Sequence, residues 1–199
     1  MQTLEETRFS MVKKHHVKKL EEAIRNKKMD PLMIDICQFI AQTKNYFTTS
    51  TCSGRITLMD VNEKDEKKEN AFFRKWHRKV KLEEVWEGIN DNSNIENLWF
   101  KQDAFVFVIG TNKMEKTKPI IQACQEAGVK KYGIHHFEKG KVLMEIFGSK
   151  GMSVPVKERK EILVEKEYVQ KLVEIANKKW IQNNETLEKL IQKMKEKLI

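Results

Sequence analysis

The stretch from Tyr46 to Val61 constrains this chain most. Its two runs, Tyr46 to Cys52 and Arg55 to Val61, are dense in aromatic and β-branched residues that favour extended backbone, and Ser53-Gly54 between them can supply the positive φ of a tight turn. Together they predict a β-hairpin. Before it, Phe9, Val12, His16, Leu20 and Ile24 recur every three or four residues, so one face of a first helix is buried, and Asn26 to Met29 end it. Asp30-Pro31 then reads as the N-cap and first turn of a second helix, whose apolar stripe is Leu32, Ile36, Phe39 and Ile40.

Beyond the hairpin, residues 62–70 are charged and lack apolar periodicity, which predicts a solvated loop. Phe72, Phe73, Trp76 and His77 lead into a short helix carrying Leu82, Val85, Trp86 and Ile89. Leu98 to Ile109 is close to continuously apolar apart from Lys101, Gln102 and Asp103, the pattern of a central strand that emerges at one point into a polar site. A helix from Met114 to Ala127 stops at Gly128, and Lys130 to Phe137 with Val142 to Phe147 predict a second hairpin turning at Lys139-Gly140. A short strand at Ile162 to Val164 and a C-terminal helix with a break at Asn183-Asn184 complete the chain. The order points to an α+β fold, a mixed β-sheet flanked by helices rather than a regular Rossmann series, with α/β as the alternative.

At 199 residues and 40% hydrophobic, the chain has the apolar content for one domain, 1–199. Lys and Arg outnumber Asp and Glu by 38 to 29, which suits an anionic partner; nucleic acid, an acidic membrane surface and plain solubility all account for it. No apolar run approaches the roughly 20 residues of a membrane helix, and the N-terminus has no secretion-signal core, so neither a membrane partner nor export is expected. Cys37, Cys52 and Cys124 are odd in number and far apart, which fits reduced thiols in a cytoplasm and implies no structural zinc. Monomer and homodimer remain equally open.

Chemistry concentrates in Phe47 to Arg55. Gly54 lets a ligand approach the backbone, Ser50 and Ser53 offer hydroxyls beside the Cys52 thiol, and Arg55 presents a planar fork, a set suited to an anionic or zwitterionic ligand. An ordinary turn served by its own serines is the competing account. Lys75-Trp76-His77 combines a charge for phosphates, a surface for stacking bases and a side chain that moves protons near neutral pH; a packed Trp beside a surface His is the blander reading. Lys101 within an apolar strand needs an anion or an exit to water. Lys130 and Gly133, where a helix stop runs into a strand, can hold a phosphate or form a plain loop. The adjacent pairs His15-His16 and His135-His136 diverge on either helix or strand, so no metal site is expected.

These residues resemble the tRNA wybutosine-synthesizing protein 3 family, whose signature is a Ser/Thr-rich Cys-Ser-Gly-Arg hairpin. The resemblance runs through Phe47 to Arg55, Asp60, Lys75 to His77, Leu98 to Lys101, Gly128 to Ile134, and Tyr168, Leu172 and Asn177. Two departures stand out: Val108 occupies the place of a family histidine, after Gln102-Asp103-Ala104 where Glu-Pro is usual, and Tyr132 replaces a frequent serine. The resemblance implies an enzyme that uses S-adenosyl-L-methionine for N4-methylation of 7-(3-amino-3-carboxypropyl)-4-demethylwyosine at position 37 of tRNA-Phe. On that basis Ser50, Cys52, Ser53, Gly54 and Arg55 are expected at the cofactor or at the substrate's similar side chain. His77 or Asp60 is expected to take the leaving proton, and Lys75, Trp76, Lys101, Lys130 and Gly133 to meet RNA. A nonenzymatic tRNA-binding protein is the alternative.

Overall fold

A computed structural model describes residues 3–61, 71–91 and 95–198. The expected charged loop at 62–70 lies outside the described residues. The chain divides into two compact units, one of residues 1–53, 105–149 and 185–199, the other of residues 54–104 and 150–184.

In the first unit, α1 (Leu4–Arg25) and α2 (Pro31–Gln42) precede β1 (Tyr46–Cys52), and β5 (Val106–Thr111), α4 (Thr117–Glu126), β6 (Lys131–Glu138) and β7 (Lys141–Phe147) follow. The strands form one antiparallel sheet in the order β1-β5-β7-β6. Period-two alternation gives each face its own core. Phe47, Val108 and Leu143 pack with Phe9 of α1, while Tyr46, Phe107, Ile109 and Ile146 pack with α2, α4 and the end of the last helix. Asp30 caps α2 as expected, accepting from Leu32 N at 3.2 Å, with Pro31 in the first turn. The β6–β7 hairpin also forms as expected, its turn carrying Gly140 at φ 77°.

The second unit holds β2 (Arg55–Asp60), β3 (Ala71–Trp76), α3 (Leu82–Ile89), β4 (Leu98–Asp103), β8 (Met152–Glu158) and β9 (Glu161–Ile162). Its sheet runs β3-β2-β4-β8-β9, every pair antiparallel. Ile56, Leu58 and Phe100 are fully buried on one face against Val85 and Ile89 of α3 and Val169, Leu172 and Ala176 of α5 (Lys166–Lys197). The unit's helices thus cover one side of its sheet, and Arg55, Thr57, Met59, Trp99, Lys101 and Asp103 alternate onto the other.

The α+β class holds, with two antiparallel sheets in place of one mixed sheet. Three local expectations are corrected. Tyr46 to Cys52 and Arg55 to Asp60 are strands but not a hairpin: β1 pairs with β5, and β2 with β3 and β4. Leu98 to Ile109 is two strands in different sheets, parted at Ala104-Phe105. The final helix has no break at Asn183-Asn184, because apolar residues at helical spacing on both sides, Val169 to Ala176 and Leu187 to Met194, carry it through two residues of modest helix propensity. β8, unread in the sequence, fills the place beside β4.

Candidate active site

In the first unit, β1 carries its hydroxyls on a bulge. Thr48 is level with Ile109 and Thr51 with Phe107, so Thr49 and Ser50 both oppose Val108. Beside them lies a pocket of about 330 Å³ lined by Thr48 to Thr51, Lys19, Lys28 and Asp30. Ser50 is exposed here, and the charges on the pocket wall have both signs. His16, also on the wall, stacks on Phe47 at 4.9 Å; burial pushes its pKa down, and the neighbouring positive charges of His15, Lys19 and Lys141 push the same way. Asp30 Oδ2 accepts from Ser53 N at 2.6 Å, so the carboxylate that caps α2 also anchors the end of the signature strand. Ser53 is fully buried, whereas Cys52 is half-buried and forms no disulfide. A larger groove of about 1120 Å³ runs along α1, its wall carrying both basic and acidic side chains, among them Lys13, Lys14, Lys18, Glu21 and Glu22.

In the second unit the signature continues through Gly54, whose φ of 98° a side chain would resist. A Cβ there would meet Asp103 O at 2.7 Å and Asn183 Nδ2 at 2.9 Å. Nδ1 of His77 lies 3.1 Å from Gly54 O. A carbonyl only accepts, so Nδ1 bears the proton and Nε2 is the basic nitrogen of the neutral ring. The segment after His77 is held at two further points. Arg78 donates to Glu84 at 2.6 and 3.0 Å, and Asn177 pairs with both backbone groups of Val80, accepting from its N and donating to its O at 2.9 Å each. Arg55 Nε donates to Asp103 at 3.2 Å, and its guanidinium lies 4.2 Å over the Phe72 ring.

The second-unit sheet therefore brings together Gly54, Arg55, Lys75, His77 and Lys101. Lys75 and Lys101 both pair in register with Thr57, on the face away from the helices. Other expected residues fall elsewhere. Trp76 pairs with Ile56 and packs, half-buried, against the helix-side core; the ring exposed beside cations is that of Phe72, 44% exposed and close to Arg55 and Lys75. Asp60 ends β2 on the face of Ile56 and Leu58, roughly 17 Å along the strand from the level of His77. Burial, and then Glu96, push its pKa up.

Lys130 and Gly133 lie at the edge strand β6 of the first unit. There Gly133 faces Glu145 across the ladder, and a Cβ on it would meet nothing within 4 Å, so no close backbone approach requires glycine. Val108 packs with Phe9, Phe47 and Leu143, and Tyr132 packs on the first unit's core. Reading the sequence alone missed Thr57 and Phe72; a hydroxyl flanked by lysines shows only once strand register is known.

A family model described as Methyltransferase TYW3 matches residues 11–196. The chain belongs to the TYW3 methyltransferase family. Among TYW3-like proteins it is 33% identical, over 94% of both chains, to the Pyrococcus horikoshii protein named tRNA(Phe) 7-((3-amino-3-carboxypropyl)-4-demethylwyosine(37)-N(4))-methyltransferase 1. It is 30% identical to the tRNA wybutosine-synthesizing protein 3 homolog of Danio rerio, over 81% of this chain and 68% of that one. The solved structure of PH1069 from Pyrococcus horikoshii superposes with a TM-score of 0.87 at 33% identity, covering 95% of this chain and 97% of that one. Membership makes the chain a methyltransferase, and the nonenzymatic alternative has no support.

Proposed function

We propose that this methyltransferase transfers a methyl group from S-adenosylmethionine to N4 of 7-(3-amino-3-carboxypropyl)-4-demethylwyosine at position 37 of tRNA(Phe). The observation that carries the reading is the likeness, across 94% of both chains, to the Pyrococcus horikoshii protein of that name. The matched residues run through both units, so the whole chain is taken as one methyltransferase domain. Three cysteines without a disulfide among them suit the reducing cytoplasm.

The amino-acid end of the donor is zwitterionic, and so is the aminocarboxypropyl arm of the substrate. The β1 pocket fits either, offering Lys19 and Lys28 to a carboxylate, Asp30 to an ammonium, and the hydroxyls of Thr49 and Ser50 to both. When bound, S-adenosylmethionine supplies a methyl group on a positively charged sulfur. Accepting that methyl group would oblige the ring nitrogen to give up its proton to a group of the protein. His77 Nε2 is the assigned acceptor, in preference to the displaced Asp60. Arg55, held by Asp103, is a fixed positive charge beside Gly54 that suits a carboxylate or phosphate of the bound ligands.

Incubating the protein with labelled S-adenosylmethionine and precursor-bearing tRNA(Phe), then weighing the isolated nucleoside, tests the reaction. A gain of one methyl at N4 is expected; an unchanged nucleoside would refute it.

A further inference from the structure

The helix-free face of the second unit's sheet carries one polar atom that its own fold leaves unmatched. Thr57 is fully buried, and its Oγ1 has no hydrogen-bond partner among the described residues. A buried hydroxyl without a partner destabilises a folded chain, so a residue kept in that state calls for a ligand-based explanation. The neighbours in its ladder row supply one. Thr57 is level with Lys75 on β3 and Lys101 on β4, and Lys101 is level with Ser153 on β8, which places two ammonium-bearing side chains on either side of one hydroxyl. Directly opposed residues stand about 5 Å apart, so the two lysines straddle a gap of roughly 10 Å centred on Thr57.

Neither lysine is neutralised among the described residues. Lys101 Nζ has only the Met59 thioether at 4.0 Å, and Lys75 Nζ lies 5.6 Å over the Phe72 ring. The one carboxylate in the adjacent row, Asp103, is engaged by Arg55. The four residues around the hydroxyl on this face, Arg55 and Met59 along the strand and Lys75 and Lys101 across it, all have long flexible stems that can part for an incoming oxygen.

We infer that Thr57, Lys75 and Lys101 form a subsite for one backbone phosphate of the RNA, with the hydroxyl donating to a phosphate oxygen between the two ammonium groups. A phosphodiester suits the row because it presents several acceptors and a negative charge at one point, and an RNA strand also brings a base for the exposed ring of Phe72 beside it. The inference rests on the proposed reading of the substrate as tRNA.

Binding of fluorescently labelled tRNA(Phe) over a series of salt concentrations, with thermal unfolding in parallel, tests it. Thr57→Val removes the hydroxyl at constant shape. It is expected to weaken tRNA binding about tenfold while the melting temperature holds or rises, since an unmatched buried group is gone. Thr57→Ser should retain binding. Lys101→Gln should lower the slope of log affinity against log salt by about 0.7–0.9, the share of one phosphate contact. Unchanged binding by Thr57→Val overturns the subsite, as does an unchanged salt slope in Lys101→Gln. So does weakening by Thr57→Val of S-adenosylmethionine binding in calorimetry with tRNA binding intact, because the row would then serve the methyl donor. If the unsubstituted protein neither binds nor methylates tRNA, the substrate reading itself fails, an outcome distinct from failure of the subsite alone.

Discussion

His77 holds its ring to the backbone of Gly54 through Nδ1, 3.1 Å from the carbonyl oxygen. This hydrogen bond helps orient the imidazole of the Lys75-Trp76-His77 motif and, in the neutral ring, leaves Nε2 as the nitrogen that can accept a proton. His77→Asn retains a donor for that carbonyl and removes the proposed base. We expect kcat for methyl transfer to fall by about 10²–10⁴ with KM for tRNA little changed, measured under saturating donor. A loss confined to KM would reassign His77 to binding.

Gly54 tolerates no side chain. With φ at 98° and a Cβ position 2.7 Å from Asp103 O, Gly54→Ala must move backbone on β4 as well as adopt a strained conformation. A loss of more than about 1–3 kcal/mol is expected from a shift of the urea midpoint. A midpoint within error of the parent would show that the β2 entry relaxes freely.

Asn177 acts on the His77 segment from the other end. Its amide satisfies both backbone groups of Val80, which is buried, so Asn177→Leu leaves a donor and an acceptor unmatched and should destabilise the chain by roughly 2–4 kcal/mol. At temperatures where the variant remains folded, kcat should fall more than donor affinity does, because the segment carrying His77 has lost an anchor. Equal effects on both would indicate general loosening.

Glu84 gives that segment a pH dependence. The hydrogen bonds from Arg78, followed by the backbone N–H of Lys81, hold its carboxyl down at about 2, against an ordinary value of 4.5. A depressed carboxyl adds stability above its unfolded value and loses it as pH falls, here between about 4.5 and about 2. Glu84→Gln should therefore be less stable than the parent at pH 7 and converge with it near pH 2, the difference being small because solvent screens a pair whose side chains are 56% and 30% exposed. A gap that persists unchanged to the acid end would place its origin in packing.

The cysteines differ in reactivity for a physical reason. Burial pushes the Cys124 thiol up to about 12 and raises that of Cys37, whereas Cys52 is half-buried. Brief iodoacetamide treatment of the native protein followed by peptide mass spectrometry should find Cys52 modified first. Early labelling of Cys124 would mean that α4 opens readily.

Signals confined to a few neighbouring residues were legible in the sequence. Asp30-Pro31 starts α2, Lys139-Gly140 turns the β6–β7 hairpin, and the 3.6-residue stripes of α1 and α5 mark their buried faces. Strand partnership was not, because it is decided by residues distant in the chain. A glycine with positive φ follows β1, as a hairpin requires, yet Phe47 pairs with Gly110 and Thr57 with Lys101. The run from Leu98 to Ile109 is broken only at Lys101 to Asp103, and that break reads equally well as one strand emerging into a polar site and as the end of one strand before the next begins in another sheet. Of the candidate site, His77, Gly54 and Lys101 could be singled out in the sequence because their residue types carry chemistry wherever they sit, and the structure places them in one unit. Trp76 misled, since a stacking ring and a core ring have the same composition and only the face of the strand separates them.

The register of β3 skips one residue, with Arg74 level with Leu58 and Phe72 level with Met59, so that Phe73 is extra. Three positions apart in a regular strand, Phe72 and Lys75 would point in opposite directions; the skip puts ring and ammonium on one side. The juxtaposition of ring and charge on this surface thus depends on parity, on whether an odd or even number of residues separates two side chains. A variant lacking Phe73 would stand Phe72 and Lys75 two positions apart in a regular strand, so the ring would stay beside the positive charge and the loss would fall on the core against which Phe73 packs.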